Sequence, residues 1–120
     1  MIPVIYYAHS LRIYNTREEK KELETLEAYF YNGLIFNPNR RSIQRAKDPM
    51  SECLRMLKDD SVTSLVFSSI QGYIEAGVYA EIRSAQKQKK PIFYLENEGV
   101  TAFHGDIKKS PGKKTRYRIL

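Results

Sequence analysis

Glu81 occupies a position where a carboxylate can do chemistry. A helical pattern follows the apolar run at residues 65–67 and continues to about residue 89. At about 100° of turn per residue, one face of this helix is apolar and carries Ile74, Val78, Ile82 and Ala85. Glu81 points into the middle of that face, where an unpaired charge is costly. The pattern leaves two interpretations open. Glu81 is either a structural carboxylate, in a buried ion pair or at the edge of the stripe with its head in water, or a catalytic carboxylate at the floor of a pocket.

Two other groups of polar residues can hold a phosphate or a carboxylate. Ser10 and Arg12 follow the first apolar run and offer a hydroxyl and a guanidinium. The second group precedes the focal helix, where the helix dipole favours an anion, and consists of Ser68, Ser69, Gln71 and Gly72. Three further cations lie in a long basic loop and can close over the same ligand: Arg40, Arg41 and Arg45.

Histidine and cysteine give weaker indications of chemistry. His9 follows the first strand and is either an acid, base or hydrogen-bond donor, or a buried histidine with satisfied partners. Cys53 is the only cysteine and falls on an apolar helical stripe, which favours a structural thiol. The spacing of His, Cys and acidic residues does not match a metal site. We therefore expect neither a metal nor another cofactor.

Strands and helices alternate along the body of the chain. The apolar runs predict strands at residues 4–7, 34–36, 62–67 and 91–95, with a possible edge strand at 115–119. Helices are predicted at residues 16–31, from Asp48–Pro49 onward, and from about residue 74 to 89. Residues 37–47 are expected to form an irregular loop.

This alternation predicts an α/β fold of the flavodoxin or Rossmann-like type. The sheet is expected to be mainly parallel, with four or five strands in the order 2-1-3-4, a fifth strand beyond the fourth, and helices on both faces. Ligands bind such sheets at the carboxyl ends of the strands where the order reverses. The loops that meet there are residues 9–15 and 68–72.

Composition limits the classes of partner. The net charge of +6 comes from the C-terminal end, because residues 1–106 carry equal numbers of basic and acidic side chains. We interpret residues 1–106 as one domain and residues 107–120 as a basic tail. Such a tail can bind nucleic acid, but more often it is a solvated end. No apolar run approaches a membrane span, so we expect a cytoplasmic protein without membrane contact.

The motif around Glu81 resembles a known family. The residues Glu75-x-Gly77-x-x-x-Glu81-Ile82-x-x-Ala85, followed by Lys90-Pro91 before an apolar strand, are similar to the nucleoside 2-deoxyribosyltransferase superfamily. The opening run from Ile5 to Arg12 is similar to the deoxynucleoside 5′-monophosphate N-glycosidase branch. Together the two motifs cover roughly residues 4–95.

The resemblance implies a site and an activity. Glu81 would be the nucleophile at the anomeric carbon of a nucleoside or its 5′-monophosphate, and Glu75 would contact the sugar or orient the site. The loop with Ser10 and Arg12 would bind the 5′ end, and Gly77 belongs to the same motif. The family also implies a homodimer or larger homo-oligomer.

Two alternatives remain open beside the enzyme. The same crevice can serve a non-catalytic domain that binds or senses a nucleotide-derived small molecule. A small protein that binds nucleic acid through residues 107–120 is the third hypothesis.

Overall fold

The described part of the chain forms eight strands and four α-helices. A computed structural model describes residues 2–111 and 115–120. The strands are β1 (Val4–Ala8), β2 (Leu34–Phe36), β3 (Val62–Ser68), β4 (Tyr73–Glu75), β5 (Ile92–Glu96), β6 (Gly99–Ala102), β7 (Ile107–Lys109) and β8 (Arg116–Ile119). The helices are α1 (Arg17–Tyr29), α2 (Arg41–Gln44), α3 (Pro49–Lys58) and α4 (Ala76–Lys87), with a 3-10 turn at Leu11–Ile13.

The main sheet has five strands in the order β2-β1-β3-β5-β6. The first four in this order pair in parallel, and β6 pairs antiparallel with β5. The predicted α/β class and the order 2-1-3-4 of the four predicted strands are therefore confirmed. The architecture is compatible with a Rossmann-like fold.

The C-terminal strand does not lie where the sequence suggested. β8 is present, but it pairs with β4 and β7 in a second, antiparallel sheet in the order β4-β8-β7. The fifth strand of the main sheet is β6, which directly follows β5 and reaches it through a tight turn. Asn97 and Glu98 at this turn both have positive φ. The placement of the edge strand at residues 115–119 was wrong, because a hairpin to the neighbouring segment occupies that edge.

Side chains of the main sheet pack into two apolar layers. On one face, alternate residues of β1 and β3 join Leu57 of α3 and Ile82 of α4. On the other face, Ile5, Tyr7 and Val66 pack against α1, mainly through Leu26. Successive side chains of a strand point to opposite faces, so Tyr6 and Tyr7 enter different layers.

Two of the predicted helix starts are confirmed and one is wrong. The Thr16 side chain accepts a hydrogen bond from the Glu19 N–H, and Asp48 caps α3 in the same way with Pro49 at its first position. The focal helix begins at Ala76 and not near residue 74, because Tyr73–Glu75 forms β4. Ile74 is thus a buried strand residue that packs on the same core as the helix.

The loop predicted at residues 37–47 contains a helical turn. Arg41–Gln44 forms α2, and its buried residue Ile43 packs into the core beside α3. One apolar residue in a basic stretch is enough to anchor a turn of helix but too little for a periodic pattern.

Candidate functional site

A cavity of about 460 Å³ lies at the carboxyl end of β1, between the 3-10 turn, α2, α3 and the start of α4. Its volume is in the range of small-molecule binding sites. The walls are mainly apolar, and the polar groups that reach it come from a few residues. The lining is His9, Ser10, Leu11, Tyr14, Pro38, Ile43, Gln44, Pro49, Met50, Cys53, Glu75, Ala76, Gly77, Val78, Glu81 and Thr115.

Glu81 is a buried carboxylate that lines this cavity. Its residue is only 4% exposed, and its Oε2 accepts a hydrogen bond from the Tyr6 hydroxyl. Burial raises the pKa of Glu81 to about 7, while the hydrogen bond from Tyr6 acts in the opposite direction. No basic side chain forms a salt bridge with Glu81 among the residues that the structure describes. The structure gives Glu81 both a neighbouring cavity and a hydrogen-bond partner in Tyr6, so the structural and the catalytic interpretations of this position both stay open.

Tyr6 is positioned by the main sheet. It lies in the middle of β1, is fully buried, and stacks on Phe36 with ring centroids 5.5 Å apart. Burial, and then the neighbouring Glu81, raise the pKa of the Tyr6 phenol, so Tyr6 remains a hydrogen-bond donor over the working pH range. A rigid strand residue therefore fixes one oxygen of Glu81.

Glu75 is the second carboxylate of the cavity. It ends β4 and occupies the N-cap position of α4, and its Oε1 accepts a hydrogen bond from the Ser10 hydroxyl. Gly77 follows in the first turn, where a Cβ atom would lie 3.0 Å from the Met50 methyl carbon. The absence of a side chain at Gly77 therefore leaves room between α3 and α4 beside the two carboxylates.

His9 belongs to a buried polar network at the edge of the cavity. Its Nε2 lies 2.7 Å from Glu19 Oε2, its Nδ1 lies 3.2 Å from the Tyr7 carbonyl oxygen, and its ring stacks on Tyr7 at 3.7 Å. Burial lowers the pKa of His9, and the hydrogen bond to Glu19 opposes this. The ionised carboxylate of Glu19 can only accept a hydrogen bond, so Nε2 is the donor in this contact.

Glu19 links three segments around His9. It accepts hydrogen bonds from the Asn15 N–H and from the Asn39 side-chain amide, in addition to the one from His9. Burial raises the pKa of Glu19, but these hydrogen bonds outweigh it and leave the pKa below its ordinary value. Of the two interpretations of His9, the satisfied buried histidine fits this network, although one edge of the ring still lines the cavity.

The structure separates the remaining predicted binding residues from the cavity. Arg12, Ser68, Ser69 and Gln71 line a smaller hollow of about 80 Å³, which shares Ser10 and Glu75 with the cavity. Gly72 lines neither of these and belongs instead to another hollow, between α1 and the end of β5. None of these residues stands at a helix N-terminus, because α4 begins only at Ala76.

The hydroxyls of the two serines are directed to other partners. Ser68 donates a 2.6 Å hydrogen bond to Glu22 of α1, which also accepts one of 2.5 Å from Tyr7. Ser69 lies 2.7 Å from the Tyr94 hydroxyl. Both contacts lie away from Glu81, so neither serine lines the cavity of Glu81.

The arginines of residues 40–45, Cys53 and His104 were the other residues considered from the sequence. Arg40 lies over the Phe36 ring at 4.1 Å, and none of the three arginines of this segment lines the cavity. Cys53 is buried, as predicted, and burial raises the pKa of its thiol. His104 is exposed in the segment between β6 and β7.

Several site residues gave no distinct signal in the sequence. Tyr6 was assigned only as part of a strand, although the alternation of β1 places it on the same side as the α4 helix. Tyr14, Gln44 and Met50 come from three separate elements, and only their packing brings them to one cavity. Arg116 was expected in a tail, yet it lines the small hollow together with Arg12.

Comparison with known proteins yields no relative: no family model, no curated protein and no solved structure matches this chain. Within residues 2–111 and 115–120, none of the helices is both long enough and apolar enough to traverse a bilayer.

Proposed function

We propose that this protein is an N-glycosidase or deoxyribosyltransferase-like enzyme that cleaves the glycosidic bond of a nucleoside, with Glu81 as the nucleophile. The observation that carries the proposal is the buried carboxylate of Glu81, hydrogen-bonded by Tyr6, at the wall of a cavity of about 460 Å³. The motif resemblance around Glu75, Gly77 and Glu81 supports the same assignment. So does the Rossmann-like sheet, since its ligands bind at the carboxyl ends of the strands.

The proposed reaction proceeds in two displacements. An oxygen of Glu81 forms a bond to the anomeric carbon while the carbon–nitrogen bond breaks, and the electron pair leaves with the base, which takes up a proton. Water then attacks the same carbon, the bond to Glu81 breaks, and free sugar is released. If a second base replaces water, the outcome is transfer of the sugar.

The pKa of Glu81 sets the form of the enzyme that can react. A nucleophilic carboxylate must be ionised, and the pKa of about 7 means that Glu81 is ionised above neutrality. Desolvation also makes the carboxylate a stronger partner for the positive charge that develops at the sugar. We therefore expect base release to increase through about pH 7 and then to level off.

The cavity favours a nucleoside without a 5′-phosphate. Among the described residues, its lining includes two glutamates and no lysine or arginine. A phosphate placed there would meet negative carboxylates, and the described part of the lining supplies no compensating cation. Arg12, the cation expected to bind a 5′-phosphate, lies in the adjoining hollow. We propose the free nucleoside as the substrate, and a homodimer as its quaternary state by analogy with the family.

The proposal is tested by incubating the protein with 2′-deoxynucleosides and with their 5′-monophosphates and separating free base by chromatography. Wild type should release base, and Glu81→Gln should lose at least about a thousandfold in rate, because the nucleophile is removed. Glu22→Gln is the matched control, since Glu22 accepts hydrogen bonds from Tyr7 and Ser68 on the other face of the sheet.

The same experiment distinguishes the alternatives. A nucleoside that binds wild type in calorimetry and is never cleaved supports the non-catalytic binding domain and contradicts the enzyme. Faster cleavage of the 5′-monophosphate than of the nucleoside would overturn the assigned substrate but retain Glu81 as the nucleophile.

A further inference from the structure

The second sheet presents a basic outer face. Residues directly opposite in an antiparallel pair project to the same side, and Arg118 lies opposite Tyr73 on one neighbour and Lys108 on the other. Arg116, two residues before Arg118, lies on this side too. The alternate residues of β8, Tyr117 and Ile119, pack against the apolar core instead.

The cations of this face are exposed and form no salt bridge among the described residues. Lys108, Arg116 and Arg118 are all exposed, and none forms a salt bridge within residues 2–111 and 115–120. Glu75, opposite Arg116, shares the face, and its Oε1 accepts a hydrogen bond from the Ser10 hydroxyl. Three of the six cations of residues 107–120 therefore lie on one side of a small sheet.

An aromatic ring lies among these cations. Tyr73 is half-buried, and the Arg116 guanidinium carbon lies 5.2 Å from the centroid of its ring. The sheet holds this ring in place, because β4 pairs with β8 along its whole length and Ile74 anchors it in the core. A planar guanidinium and an aromatic ring are the two groups on which unpaired nucleic-acid bases stack.

We propose that this outer face, defined by Tyr73, Lys108, Arg116 and Arg118, binds single-stranded nucleic acid. The exposed cations match the charge of a phosphate backbone, and Tyr73 with Arg116 offers a stacking surface to a base. A duplex buries its bases and cannot use the ring, so the face favours a single strand. None of these four residues lines the cavity of Glu81, although Tyr73 and Arg116 line the small hollow that adjoins it, so the binding proposal does not rest on the proposed glycosidase activity.

The proposal is tested with the full chain and a fluorescently labelled single-stranded 20-residue oligonucleotide, followed by anisotropy over a series of salt concentrations. The double variant Arg116→Gln/Arg118→Gln should bind about tenfold more weakly at low salt. Its salt dependence should also be shallower by about 1.4 in the slope of log affinity against log salt, since single strands contribute about 0.7 per phosphate contact. Tyr73→Leu should weaken binding about tenfold with the slope unchanged, because stacking does not release counterions.

The control is Lys20→Gln/Lys58→Gln, which removes the same charge from exposed positions on α1 and α3. It should retain wild-type affinity, and circular dichroism should show that all variants are folded. Absence of oligonucleotide binding at low salt, or an equal loss in the control, would overturn the proposal. Tighter binding to phosphatidylserine vesicles than to the oligonucleotide, with the same dependence on both arginines, would overturn it in favour of a membrane surface.

Discussion

At the scale of a single residue, burial and the proposed chemistry favour opposite protonation states of Glu81. As a buried group it is more stable protonated, because desolvation penalises the charge, yet in its proposed role as a nucleophile it must lose its proton. Tyr6 reconciles the two demands in part, since its hydroxyl donates to the carboxylate and lowers the pKa that burial raises. The ionised form therefore exists near neutrality, but at a cost in stability.

Because of this cost, we expect the difference in unfolding free energy between wild type and Glu81→Gln to depend on pH. The pKa is raised from 4.5 to about 7 on folding, so the stability contributed by the protonated group is fully present below about pH 4.5 and is lost as pH rises through 7. Relative to Glu81→Gln, wild type should lose about 3 kcal/mol of unfolding free energy between these values. Urea unfolding at several pH values measures it, and a difference that stays constant with pH would contradict the buried carboxylate.

Tyr6→Phe isolates the hydrogen bond to Glu81. Without the phenol the pKa of Glu81 should rise further, so the midpoint of base release against pH should move above that of wild type. Tyr7→Phe is the matched control, because Tyr7 is the next residue of the strand and donates to Glu22 on the other face. An unchanged midpoint in Tyr6→Phe would show that the tyrosine does not tune the carboxylate.

At the scale of the elements, a hydrogen-bond network centred on Glu19 connects the segments around the cavity. Glu19 on α1 receives hydrogen bonds from His9 after β1, from the Asn15 N–H before α1, and from Asn39 before α2. Asn39 is tied in turn to Gln44, a residue of the cavity wall, at 2.5 Å. The position of the α2 wall thus depends on a carboxylate that never reaches the cavity.

Removing that carboxylate should destabilise the protein. Glu19→Ala leaves the buried His9 and Asn39 without their acceptor, and we expect a loss of about 2 kcal/mol in unfolding free energy. Glu18→Ala is the control, since Glu18 is the preceding residue of the same helix turn and is exposed. It should cost about 0.5 kcal/mol or less. Equal effects of the two substitutions in urea denaturation would mean that the network contributes nothing specific.

The sequence predicted those elements whose local signals agree with their packing. The four parallel strands are apolar runs, and α1 and α3 begin at caps that hydrogen-bond as expected. The short strands were harder to predict from the sequence. Tyr73–Glu75, for example, has only three residues and is held by pairing with the distant Arg116–Ile119. Pairing across that separation leaves no local pattern, so the start of α4 and the edge of the main sheet were misplaced.

At the scale of the whole molecule, the two proposed activities occupy adjoining regions, which meet at the small hollow lined by Tyr73, Glu75 and Arg116. The cavity with Glu75 and Glu81 lies between the 3-10 turn, α2, α3 and α4, whereas the basic face is the outer side of the second sheet. The strand β4 joins them, since it supplies Glu75 to the cavity and Tyr73 to the basic face. Four of the C-terminal cations, Lys108, Lys109, Arg116 and Arg118, thus belong to paired strands at residues 107–109 and 116–119.

One residue of the candidate site could be predicted from the sequence, because it departs from the apolar pattern of its helix. Glu81 interrupts an apolar helical face, and that departure placed it in the interior before the fold was known. The walls of the cavity were not predictable, because Tyr14, Met50 and Gln44 are ordinary members of their own segments. Arg12 fits a loop that follows β1, but the sequence could not show that the contact between Ser10 and Glu75 separates it from the cavity.

The central claim is that Glu81 forms a covalent bond to a sugar, and the most direct measurement is trapping of that intermediate. Wild type is mixed with a 2′-deoxynucleoside, quenched in acid and digested, and the peptides are analysed by mass spectrometry. The account predicts one added deoxyribosyl group on Glu81, absent from Glu81→Gln and retained in Glu22→Gln. A deoxyribosyl group on any other residue, or base release by Glu81→Gln at the wild-type rate, would contradict it.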